Sequence, residues 1–219
     1  MATVQLAKTP RAPGPSRVEG NRVVLEGVSW DTYERLLAGL EGQRVFVTYD
    51  DGLMEIEMSP SLPHENRDRL LERLVYAIGL LTGVKIASGG TTTHRRQDLK
   101  KGLEPDACFW IENEHQLVGV RELDLTKVPP PDLVIEIDVH AESTDRIAMY
   151  QQLQVPEIWL LRDGELQFLT LENTRYARVD ASRSFPIVGR AAVGRALQRI
   201  DQVGEDTALT ELLSELGLR

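Results

Sequence analysis

The chain has 219 residues, 42% of them hydrophobic and 27% charged, which suits one soluble core and leaves little material for a second domain. Its formal net charge of −9 argues against indiscriminate binding to nucleic acid, which depends on Lys and Arg neutralising phosphates. A single cysteine excludes an internal disulfide and any cysteine-rich zinc site, and no apolar stretch approaches the roughly 20 residues needed to span a bilayer.

Taken in order, residues 1–20 are rich in Pro, Gly, Ala and Arg and predict a disordered arm, with no apolar core of the kind a signal peptide needs. The expectation is a cytoplasmic protein with one domain over residues 21–219. "RVVLEGVSW" predicts a strand and then a helix opening at Trp30, with Ser29 as its N-cap. Val45, Val47 and Tyr49 alternate into the turn "DDG", and Met54, Ile56 and Met58 alternate out of it, which predicts a hairpin. Ser61 and Pro63 open a long helix with Leu70, Leu71, Leu74, Ile78 and Leu81 on its apolar face, stopped by Gly83.

A short strand near "VKIAS" leads to the basic stretch "THRRQDLKK", read as a loop, and then to the strand in "EPDACFWIEN". After the prolines 129–131 comes "DLVIEIDV", an apolar run interrupted by acids. Strand alternation puts Asp132, Val134, Glu136 and Asp138 on one face and Leu133, Ile135 and Ile137 on the other, buried one. A helix in "ESTDRIAMYQQLQ", the strands "EIWLLR" and "LQFLTLE" and one or two closing helices complete a mixed α/β (α+β) pattern.

Asp106 also heads an apolar strand. If that strand pairs with "DLVIEIDV", Asp106 and Glu136 converge, and two carboxylates at one point call for a proton or a cation. A hard divalent ion such as Mg²⁺, with Mn²⁺ as a substitute, accepts oxygen ligands of this kind and supports phosphodiester hydrolysis. The plainer reading is a sheet face whose acids pair with Arg and Lys. "THRRQDLKK" and the C-terminal "GRAAVGRALQR" are locally basic, as a solvated face or a backbone-binding surface would be.

The stretches "GVSWDTYERLLAGL", "MEIEMSPSLPHE", "GLEPDACFWIEN", "PPPDLVIEID" and "STDRIAMYQQLQVPEIWLL", in this order, resemble the Uma-two family of restriction-endonuclease-like proteins, within the PD-(D/E)XK nuclease superfamily. The resemblance implies a restriction-endonuclease-like core, a central mixed sheet flanked by helices, with the N-terminal helix and hairpin as an extension. It implies a Mg²⁺-dependent endonuclease acting on DNA. Asp106 and Glu136 would be metal-binding acids, the carbonyl of Ile137 would reach the same ion, and Glu65 beside His64 would be a supporting acid. Asp138 stands where the superfamily pattern has a lysine. The displaced lysine of this family falls on Arg146, which stays protonated and can hold a phosphate but is a poor base. Arg95, Arg96 and Lys100 would meet the DNA backbone, and a homodimer would suit cleavage of a duplex. The alternative is a catalytically impaired nuclease fold that binds nucleic acid or protein.

Overall fold

The computed structural model describes residues 17–19, 22–40, 42–43, 45–58, 62–120, 123–137 and 145–218, with the side chains of residues 17, 19 and 62–66 also outside the description. Asp138 and the first sixteen residues therefore lie outside it, as does the side chain of Glu65, while Arg17–Glu19 of the expected arm form strand β1. Among the described residues no helix is long and apolar enough to cross a membrane.

Among the described residues the strands form two sheets of six. The first contains β1, β2 (Arg22–Leu25), β3 (Val45–Asp50), β4 (Leu53–Met58), β6 (His94–Arg96) and β7 (Lys101–Leu103), in the order β1-β2-β4-β3-β7-β6. Ser29 caps α1 (Trp30–Gly39) by accepting the Thr32 amide at 3.1 Å. The helix lays Tyr33 on this sheet against Val47, Tyr49 and Met54. Tyr33 also lies so close to β7 that a Cβ on Gly102 would come within 2.1 Å of its hydroxyl, so a larger residue there would have to displace the Tyr33 ring. The β3–β4 hairpin turns on Asp51 and Gly52, both with positive φ, as a two-residue turn between twisted strands requires.

The second sheet is β12-β11-β10-β9-β8-β5: β5 (Ala87–Ser88), β8 (Ala107–Trp110), β9 (Leu133–Ile137), β10 (Glu157–Arg162), β11 (Glu165–Glu172) and β12 (Arg175–Val179). Among the described residues only β9 and β10 pair in parallel, with α3 (Arg146–Leu153) between them in the chain. The helices α2 (Leu62–Thr82), α4 (Arg190–Val203) and α5 (Glu205–Glu215) cover one face, burying Leu133, Ile135 and Ile137 with Leu70, Leu74, Val193 and Leu209. On α2, Val75 takes the buried place expected of Leu81, which is 52% exposed.

The opposite face is buried as well: Val134 packs with Cys108, Trp110, Met149, Tyr150 and Leu103. The expectation that the acids line an open face of β9 therefore fails. A strand beside a parallel neighbour is roofed on both sides, here by α3 and the edge of the first sheet. Asp132 and Glu136 are 5% and 2% exposed. The basic stretch from Thr93 is likewise not a loop but the hairpin β6–β7.

Candidate active site

Strands β8 and β9 pair antiparallel with Ala107 opposite Ile135. One residue further along this register, Asp106 stands beside Glu136. The contact is closed by the backbone, since the Ile137 amide donates to Asp106 Oδ2 at 2.8 Å. Burial raises the Asp106 pKa well above the usual carboxylate range, the Glu136 charge raises it further, and Asp68 on α2 adds to the effect. Asp68 escaped the sequence reading, which placed the acid of this helix at Glu65.

Asp132, on the same strand, has a structural role. Its Oδ2 accepts the amides of Ile111, Glu112 and Asn113, and its Oδ1 the Asn113 side chain, so it fastens the turn that follows β8.

Glu136 meets α3. Arg146 at the start of that helix reaches it with two nitrogens, Nη2 to Oε1 at 2.5 Å and Nε to Oε2 at 3.1 Å. Tyr150, one turn later, donates its hydroxyl to Oε1. Arg146 Nη2 also donates to the Glu104 carbonyl at 2.6 Å, and Nη1 to Thr48 Oγ1 on β3 at 2.8 Å. Burial works against the guanidinium charge, but Glu136 and Tyr150 more than offset it, leaving the Arg146 pKa above its ordinary value. Burial, and then the Glu136 charge, raise that of Tyr150, which stays a phenol. Tyr150 is not among the candidates the sequence offers, and its acceptor is visible only in three dimensions.

His94 on β6 closes the neighbourhood. It is fully buried, its ring lies 6.0 Å from that of Trp110, and neither ring nitrogen has a hydrogen-bond partner among the described residues. Trp110 itself is buried and donates its indole N–H to the Pro129 carbonyl, so it acts in packing.

The basic candidates are spread along β6 and the turn after it. Arg96 is held on both oxygens of Asp98, and Lys100 is 3.4 Å from Asp51. Arg95 makes no ion pair among the described residues and lines a cleft of about 490 Å³ with Trp30, Glu34, Asp124 and Lys127.

As ligands for a divalent ion, the described residues offer two mutually repelling carboxylates and the Ile137 backbone, and no group of three His, Cys, Asp or Glu side chains. Two acids are sufficient for an ion that keeps several waters. The donor set fits such an ion on the Asp106 side, whereas on the Glu136 side Arg146 already occupies both oxygens.

A family model described as "Putative restriction endonuclease", that of Uma2, matches residues 30–197. Among solved structures, a "putative nuclease belonging to DUF820" from Anabaena variabilis ATCC 29413 superposes with a TM-score of 0.50 at 13% identity, over 69% of this chain and 90% of that one. At that identity the likeness establishes the fold alone. No curated protein sequence matches the chain.

Proposed function

Because the chain belongs to the Uma2 family of restriction-endonuclease-like proteins, we propose that it is an endonuclease hydrolysing phosphodiester bonds of DNA with a divalent ion, Mg²⁺ or Mn²⁺. The observation that carries this reading is the meeting of Asp106 and Glu136 at the ends of paired strands, where burial and the neighbouring carboxylate favour a bound cation or a proton over two bare negative charges.

Asp106, Glu136 and the Ile137 carbonyl would hold the ion. When bound it supplies a Lewis acid for the phosphoryl oxygen and an acidified water as nucleophile. In the reaction the water oxygen bonds to phosphorus, one P–O ester bond breaks, and the departing oxygen takes up a proton. The Ile137 amide fixes the Asp106 carboxylate through Oδ2. Arg146 keeps its proton, so its part is a positive charge for a phosphate oxygen and not base catalysis. Asp138, with Glu65, would accept the proton of the attacking water. Arg95, Arg96 and Lys100 would approach the DNA backbone, and two copies of the chain would cut the two strands.

Supercoiled plasmid, incubated with Mg²⁺ or Mn²⁺ and the wild type, Asp106→Asn or Glu136→Gln, tests this. Nicking by the wild type that disappears in both variants is expected. Nicking that survives in the variants, or none by the wild type with either ion, would sink the reading. The saturated state of Arg146 favours a second reading, a non-catalytic nucleic-acid-binding module, and retention of plasmid without nicking would support it.

A further inference from the structure

Arg146 is held more completely than a residue waiting for substrate needs to be. A guanidinium has five N–H donors in a fixed plane. Four are engaged: Nε with Glu136 Oε2, Nη1 with Thr48 Oγ1, and Nη2 with both Glu136 Oε1 and the Glu104 carbonyl. Glu136 is correspondingly occupied. Of the four or so lone-pair positions on a carboxylate, Arg146 takes two and the Tyr150 hydroxyl a third. A divalent ion needs the same oxygens and repels the guanidinium that sits on them.

We propose that Arg146 is a latch on the candidate metal site: the ion is admitted to Glu136 only when the guanidinium leaves, and a phosphodiester of DNA is the ligand that draws it away. The inference rests on the metal-dependent reading above and deepens it. Phosphate is the natural competitor because it offers the guanidinium the same two-pronged acceptor as Glu136 does. Removal of Arg146 from Glu136 leaves the carboxylate without its counter-charge, which is the condition under which it binds an ion. Backbone binding and ion binding are then coupled with positive sign, each strengthening the other by the same factor. A lysine at this position would behave differently. Its ammonium is a single point on a flexible stem and cannot span both Glu136 oxygens while reaching Thr48 and Glu104.

The test is Mn²⁺ affinity by calorimetry, with and without a short DNA duplex, on the wild type, Arg146→Lys and Thr48→Val. The last removes one anchor of the guanidinium and leaves the ion pair itself in place. Without DNA, Arg146→Lys should bind Mn²⁺ at least tenfold more tightly than the wild type, and Thr48→Val should lie between them. Duplex should tighten binding to the wild type by a comparable factor and to Arg146→Lys much less. Mn²⁺ should also raise the melting temperature of Arg146→Lys more than that of the wild type. Equal affinities in all three proteins, or no effect of duplex on the wild type, would overturn the latch. So would absence of binding in every protein, which would remove the metal-dependent reading with it. Tighter binding in Arg146→Lys without nicking of plasmid upholds the latch and rejects the nuclease. Nicking by the wild type with affinities unchanged does the reverse.

Discussion

His94 has no exposed surface, and burial, with the Arg146 charge second, pushes its pKa down to about 3. In the unfolded chain it titrates near 6.5. Between these values the unfolded state binds a proton that the folded state refuses, so stability is intact above pH 6.5 and falls as the pH drops toward 3. From pH 7 to 4.5 the loss from this one group is about 2 kcal/mol. His94→Phe, which keeps an aromatic ring beside Trp110, should therefore lose about 2 kcal/mol less than the wild type over that interval in urea unfolding. Equal losses would mean that His94 finds a partner on protonation. At this scale the sequence is legible in part. Asp106 and Glu136 stand out because an acid is costly inside an apolar strand. Thr48 does not, being a common residue in a hairpin that meets Arg146 from 98 positions away.

At the scale of elements, α3 is the piece on which the site depends. It has only eight residues, and Arg146 and Tyr150 lie one turn apart on the face toward Glu136. Asp145 starts it by accepting the Ala148 amide at 3.0 Å, and Gln154 ends it in the left-handed conformation. Asp145→Ala should cost about 1 kcal/mol, seen as a lower urea midpoint with unchanged slope. An unaltered midpoint would show that the cap contributes nothing to so short a helix. The sequence gives "STDRIAMY" three consecutive residues able to cap, and that ambiguity is why the helix is legible but its start is not. The hairpin β6–β7 is harder to see. Strands of three residues, one of them "HRR", show no alternation to read, and only the pairing of β7 with β3 and of β6 with β7 makes them sheet.

For the whole molecule, the expected central mixed sheet is the second sheet, and among the described residues the expected N-terminal hairpin belongs to a sheet of its own. The pairing that adds β6 and β7 to the N-terminal hairpin, Tyr49 opposite Gly102 and Asp50 opposite Lys101, connects segments far apart in the chain and leaves no local trace. The locally basic C-terminal stretch is accounted for by ion pairs, Arg195 with Glu215 and Arg199 with Glu211 between α4 and α5, and Arg190 with Asp180. These arginines fasten the helices and do not form a free cationic surface.

The order β12-β11-β10-β9 places successive strands side by side, so this part of the second sheet assembles from near neighbours in the chain. Strand β8 and the whole first sheet must be brought in from further away, and contacts between distant segments form slowly. In pulse-labelled hydrogen exchange during refolding, amides of β9, β10 and β11 should gain protection before those of β3 and β7; the reverse order would contradict this sequence of events. Glu136 and Arg146 are ten residues apart, on consecutive elements, whereas Asp106 is 31 residues from Ile137, whose amide it accepts. On the path to the native state, the second acid should thus acquire its arginine before it acquires the first acid.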